Sequence, residues 1–204
     1  EKDIFIIVDE VYREFIYTDS KHYSILQNKK ANLHSIMIDS VSKRYSLCGA
    51  RVGCMISKNK KLMATALKFA HLRLSPPSLA LMASEAAITA PKSYLENVKK
   101  EYTIRRKVVI EALEKIKDVK VSIPMGAFYC IVKLPVNNAE DFSKFLLSDF
   151  QHDGQTVMLA PAAGFYTSPG LGKDQVRLAF VLESSKLKRA VEILEKALVA
   201  YNNL

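Results

Sequence analysis

The chain has 204 residues, 49% of them hydrophobic and 25% charged, with a formal net charge of +9. This is the composition of a globular protein with one or two cores, and it excludes a disordered chain. No apolar run reaches the length of a membrane span, Glu1-Lys2-Asp3 does not open a signal peptide, and the lysines are scattered instead of clustered with aromatics. A cytoplasmic protein with neither membrane nor nucleic-acid partner is therefore expected. Cys48, Cys54 and Cys130 lack the spacing of a disulfide framework, a redox pair or a zinc knuckle, so they read as reduced, mostly buried thiols and no metal is expected.

In chain order, Ile4 to Val8 is a continuous β-branched and aromatic run, the pattern of a fully buried, parallel, central strand. Asp9 ends it, and ligands of open α/β sheets bind beyond the carboxyl ends of the strands. Ser35 to Asp39 is a second strand that delivers Ser40 to Lys43 to the same edge, and Val52 to Ile56 is a third. Lys60 to Leu72 has a helical period at Leu62, Met63, Ala66, Leu67 and Ala70. Pro76-Pro77-Ser78 starts another helix, with Leu79, Met82, Ala83, Ala86 and Ala87 on its inner face. Pro91 breaks it, and Ser93 to Lys117 forms a longer helix whose apolar positions include Leu95, Val98, Tyr102, Val109 and Leu113.

The rhythm then changes. Val119 to Val121, a Pro124-Met125-Gly126 turn, a strand from Ala127 to Leu134, a helix from Ala139 to Phe150, strands Thr156 to Ala160 and Gln175 to Leu182, and a helix from Ser184 to Tyr201 make an α+β unit over a mostly antiparallel sheet. Residues 1–91 and 92–204 are the expected domains.

The chemistry concentrates in Ser40-Val41-Ser42-Lys43-Arg44-Tyr45-Ser46-Leu47-Cys48-Gly49-Ala50-Arg51-Val52-Gly53. A lysine that forms a Schiff base has to present an uncharged amine, which a nearby cation such as Arg51 favours. The same arginine, with Ser40 and Ser42, could hold a phosphate, and Gly49 and Gly53 would allow close backbone approach. Ser-x-Ser-Lys followed by Gly-x-Arg-x-Gly resembles the signature of class I, fold-type I aminotransferases that use pyridoxal 5'-phosphate. Upstream, Asp9-Glu10-Val11-Tyr12 resembles that family's Asp-x-x-Tyr; downstream, Gln175-Val176-Arg177-Leu178-Ala179-Phe180 resembles its carboxylate-binding strand.

The resemblance implies an α/β fold: the C-terminal part of a large domain with a mostly parallel sheet and helices, followed by a small α+β domain. It implies that Lys43 forms the Schiff base and moves the substrate's α-proton, that Asp9 pairs with the pyridine nitrogen and that Tyr12 donates to the 3'-oxygen. Ser40, Ser42 and Arg51 would hold the phosphate, and Arg177 would bind the α-carboxylate as a bidentate fork. Each has an ordinary alternative: a surface lysine, a strand-end cap, a core-rim tyrosine, a surface ion pair, a solvated strand face.

Gly126-Ala127-Phe128-Tyr129 resembles the family's Gly-x-Phe turn, whereas Pro161-Ala162-Ala163-Gly164-Phe165-Tyr166 departs from its usual Pro-Gly-x-x-Phe-Gly. Arg73-Leu74-Ser75-Pro76-Pro77-Ser78 looks similar to bacterial aspartate aminotransferases, which makes aspartate the expected amino donor, a 2-oxo acid the acceptor, and Arg73 a candidate for the distal carboxylate. Family members are longer and dimeric, with further cofactor contacts before the Asp-x-x-Tyr strand. This chain is accordingly expected to be a truncated, weakly active or inactive form of a homodimeric enzyme. A carbon-sulfur lyase or decarboxylase on the same scaffold, and a non-catalytic regulatory module, are the alternatives.

Overall fold

The computed structural model describes residues 4–204. Packing divides the chain into two compact units, Glu1–Lys99 and Lys100–Leu204. The first contains strands β1 (Ile6–Asp9), β2 (Ser35–Ser40) and β3 (Gly53–Ile56), the one-turn helix α1 (Val41–Arg44), and helices α2 (Lys60–Arg73) and α3 (Ser78–Ile88). Helix α4 (Lys92–Leu113) begins after the Pro91 break, and the division falls within it. The second unit continues with β4 (Lys120–Val121), β5 (Tyr129–Lys133), α5 (Ala139–Ser148), β6 (Ala160–Pro161), β7 (Gln175–Ala179) and α6 (Ser184–Asn202). The fold class is the expected one, an α/β unit followed by an α+β unit.

In the first unit the strands lie in the order β1-β2-β3. β1 runs parallel to β2, with Ile6 opposite Ser35 and Asp9 opposite Ile38; β3 returns antiparallel, with Gly53 opposite Ser40. β2 is the buried strand, through Ser35, Ile36, Met37 and Asp39. β1 is not. It lies at the edge of the described sheet with Ile7 68% exposed, because its apolar run finds a neighbour on one side only and no cover over its faces among the described residues. A continuous apolar run specifies a strand without specifying what covers it.

Helix α2 starts at an Asn59 cap, whose side chain accepts the Leu62 amide at 3.0 Å. In α3 the expected inner face is turned out: Leu79 and Met82 are exposed, and the buried residue is Ser84, whose hydroxyl donates to the Ala80 carbonyl at 2.7 Å. Small and apolar residues surround this helix on every side, so its sequence sets no preferred face.

The second unit has a conventional apolar core. Its sheet has the order β4-β5-β7-β6, antiparallel throughout. α4 contributes Val109, Ile110 and Leu113, α5 contributes Phe142 and Leu146, and α6 contributes Leu187, Leu194 and Leu198. α5 opens on Asn138, which caps the Glu140 amide, with Glu140 and Asp141 favourably placed in its first turn. The expected strand from Thr156 pairs only at Ala160 and Pro161. Before that, Met158 points out and Val157 and Leu159 are half-buried, an extended alternation without a partner strand, while the Thr156 hydroxyl turns back to the Leu146 carbonyl. Cys130 is buried, and burial pushes its thiol up to about 12, whereas Cys48 and Cys54 are exposed, contrary to the expectation for them.

Phe142 is fully buried, with Tyr201 edge-on at 5.1 Å and Phe145 at 6.3 Å. Phe142→Ala is expected to lower stability by about 3–5 kcal/mol in urea unfolding. Leu79→Ala, on the exposed face of α3, should change it by no more than about 0.5 kcal/mol.

Candidate active site

Because β1 and β2 are parallel, their carboxyl ends share one edge of the sheet. Asp9 leaves the end of β1 exposed, and its Oδ1 accepts the Val11 amide at 3.1 Å, which starts the turn that carries Tyr12. Tyr12 packs edge-on against buried Phe15, with ring centroids 6.3 Å apart. Ser40 ends β2 and caps α1, its hydroxyl oxygen accepting the Ser42 amide at 2.9 Å. A hydroxyl that accepts one hydrogen bond keeps its own proton to donate, so the cap leaves Ser40 able to bind an anion. Lys43 lies on α1 with Nζ 5.8 Å from the centre of the Tyr12 ring. Two segments more than thirty residues apart thus meet at one edge.

The loop after α1 is closed by the Ser40 and Gly53 pairing and by the Val41 amide on the Val52 carbonyl at 3.3 Å. A Cβ on Gly53 would stand 3.0 Å from the Asp39 carbonyl oxygen and 3.4 Å from the Ser40 Cβ, so the expected close approach is found there. At Gly49 it is not, since a Cβ would meet nothing within 4 Å. Arg51 is exposed and left-handed, with φ of 55°, and its Nη1 donates to the Cys48 carbonyl at 2.9 Å.

Charged groups beneath this edge carry no motif. Asp39 is buried and accepts Arg44 Nη2 at 2.7 Å and Arg13 Nη2 at 3.2 Å. Glu10, between Asp9 and Tyr12, is buried and accepts His22 Nε2 at 2.7 Å, the Ile25 amide at 2.8 Å and the Ser24 hydroxyl at 3.0 Å. Burial pushes the Glu10 carboxyl up, but the hydrogen bonds from His22, Ile25 and Ser24 outweigh it and hold the group below its ordinary 4.5. The signal for both was a carboxylate at the end of an apolar strand, where burial demands partners.

Arg177 belongs to the second unit. It is exposed on β7, between Ile131 of β5 and Ala160 of β6, with its guanidinium 4.9 Å from the centre of the Phe165 ring and 5.4 Å from that of Tyr129. Flanking aromatics hold such a planar fork in place while leaving its N–H edge able to donate. Phe128, beside the Gly126 turn, stacks on Tyr102 at 5.4 Å. Arg73 is the exposed last residue of α2.

A two-unit chain whose lysine helix and aspartate strand share a sheet edge has the architecture of pyridoxal-phosphate aminotransferases, and solved structures agree. The chain superposes on the aromatic aminotransferase of Pyrococcus horikoshii with a TM-score of 0.83 at 26% identity, covering 99% of this chain and 53% of that one. It superposes on the aspartate aminotransferase of Thermotoga maritima with a TM-score of 0.78 at 30% identity, covering 96% and 48%. A Thermus thermophilus alpha-aminoadipate aminotransferase solved with N-(5'-phosphopyridoxyl)-L-leucine shares the fold, with a TM-score of 0.82 at 23% identity over 96% of this chain and 50% of that one.

Residues 1–194 match the family described as aminotransferase class I and II, and the chain belongs to that family. The aspartate aminotransferase of Pyrococcus horikoshii is 30% identical over 200 residues, which are 96% of this chain and 49% of the relative. The chain spans about half the length of the curated relatives it matches. Pyridoxal phosphate is the cofactor of the family. The donor set at the sheet edge, with an amine, a phenol, a carboxylate and two hydroxyls beside a glycine where a side chain would intrude, suits that group chemically.

The lowered Glu10 carboxyl makes a pH prediction. A group depressed on folding contributes stability above its unfolded value and loses it as pH falls through the folded one. Glu10→Gln is therefore expected to cost about 2 kcal/mol at neutral pH, the scale of hydrogen bonds to a charged group. Urea unfolding of the two proteins across pH should show the gap shrinking on acidification below 4.5.

Proposed function

We propose that the chain supplies the lysine-bearing part of an aminotransferase site that moves an amino group from an amino acid, aspartate foremost, to a 2-oxo acid. The observation that carries the reading is the meeting of the Asp9 to Tyr12 turn with the Lys43 helix at one sheet edge. Pyridoxal phosphate, when bound, supplies a conjugated ring that takes up the electron pair left when a substrate's α-proton departs.

Lys43 would be its point of attachment and the base that carries that proton. Asp9 would keep a proton on the ring nitrogen, since a carboxylate there favours the charged form. Tyr12 would donate to the 3'-oxygen, and Ser40, Ser42 and Arg51 would hold the phosphate, Arg51 by turning from the Cys48 carbonyl. Arg177, held between Tyr129 and Phe165, would grip the substrate's α-carboxylate. Aspartate is favoured by the names of the curated relatives at about 30% identity. Homodimeric assembly belongs to the same proposal.

The test is turnover of the intact protein with pyridoxal phosphate and aspartate. Amino transfer that requires an added 2-oxo acid is expected, whereas acceptor-independent loss of carbon dioxide from aspartate, or release of pyruvate, ammonia and hydrogen sulfide from cysteine in its place, would contradict it. Arg177→Lys keeps the charge but not the fork, and should lower kcat/KM roughly 10- to 100-fold through the loss of a charge-assisted hydrogen bond. An unchanged kcat/KM in that variant would remove Arg177 from the site.

A further inference from the structure

We propose that Asp39 is a positioning residue whose buried carboxylate, shared by Arg13 and Arg44, locks the Tyr12 turn and the Lys43 helix together as one rigid edge. The inference rests on the reading of Lys43 as the reactive amine, but its geometry stands independently. α1 has four residues, far below the length at which a helix stands alone in water, so its placement has to come from tertiary anchors. Three are visible: the Ser40 cap, the Val41 amide on the Val52 carbonyl, and Arg44.

Arg44 follows Lys43 directly, and Arg13 follows Tyr12 directly. Both guanidinium groups reach the same oxygen, Oδ2 of Asp39, at 2.7 and 3.2 Å. The other oxygen, Oδ1, accepts the Ser40 amide at 2.8 Å, which fixes the orientation of the carboxylate at the junction of β2 and α1. Glu14 stands nearby, its Oε1 3.5 Å from Arg13 Nε and 3.9 Å from Arg44 Nε, close enough to offset charge but too far to accept a hydrogen bond from the buried Arg44 Nε.

Two cations and two carboxylates balance, which is what permits so much charge in a part of the fold where Arg44 and Asp39 are nearly enclosed. The Arg44 guanidinium also lies over the Tyr45 ring at 5.9 Å, so the two residues that follow the lysine are held together. Cys54, opposite Asp39 across the β2 and β3 pairing, lies in the same field: though the residue is exposed, partial withdrawal of its thiol from water raises it first and Asp39 next, against Arg13 and Arg44. Asp39 need not touch a substrate or cofactor to act, because it acts through the two arginines.

Asp39→Asn tests this, since an amide keeps the acceptor for Ser40 and removes the charge that the arginines share. Competitive acetylation of the intact protein without cofactor, followed by peptide mass spectrometry across pH, measures the limiting labelling rate of Lys43 against Lys60 and Lys61 of α2. The expected result is a rise of roughly threefold or more for Lys43 alone, as the restraint on α1 is lost. A Lys43 curve identical to the wild type, or one shifted in pH midpoint without a change in limiting rate, would overturn the proposal. Arg44→Lys keeps the charge and lacks the fork. It should move Lys43 in the same direction by a smaller factor, and no movement in that variant counts equally against the proposal if Asp39→Asn does not fold. A wild-type protein that takes up no pyridoxal phosphate would sink the functional reading and leave the labelling comparison standing.

Discussion

The parallel pairing of β1 with β2 is the constraint on which the rest of the first unit depends. Antiparallel strands would send Asp9 and Ser40 to opposite edges. The parallel register, Asp9 opposite Ile38, instead sends both strand ends the same way. β3 then returns beside β2 with Gly53 against Ser40, and the intervening loop is closed over the same edge. Asp9, Tyr12, Ser40 and Lys43, more than thirty residues apart at their extremes, are brought to one edge by the first pairing, and the second returns the loop that carries Arg51 beside Ser40.

The two units are stabilised by different means. The second rests on apolar burial, with Val109, Val132, Phe142, Val176 and Phe180 wholly enclosed. In the first, the apolar core is small, and buried carboxylates hold the segments in place: Glu10 gathers the His22 to Ile25 loop, and Asp39 gathers Arg13 and Arg44. Removing one partner from such a group leaves an uncompensated buried charge, so each of these contacts is costly to break. The amine of Lys43, on a single turn of helix, would need such anchoring in the proposed site.

Helices α4, α5 and α6 were legible in the sequence because their apolar positions recur at a helical spacing; in α4 that spacing meets the core at Val109 and Leu113, while Leu95, Val98 and Tyr102 are half-buried. The β1 run was legible as a strand, but not its edge position, since Ile6 and Ile7 look the same covered or bare. α3 misled for want of polar residues to mark an outer face. The motif residues Asp9, Tyr12, Ser40 and Lys43 could be named because their types and spacing are distinctive, and the parallel pairing was expected. The network around Asp39 could not be read, because Arg13, Glu14 and Arg44 are unremarkable charges until the fold brings them to one carboxylate. Gly53 was legible as a place of close approach, and Gly49 was over-read.

The measurement that bears most directly on the account is the site of attachment of pyridoxal phosphate. The intact protein is saturated with the cofactor, reduced with borohydride, digested and mapped by mass spectrometry. The account predicts a pyridoxyl group on the peptide that carries Lys43, and its loss in Lys43→Ala without transfer to another lysine. A pyridoxyl group on another lysine, or spread over the exposed lysines of α2 and α4 with Lys43 unmodified, would contradict it.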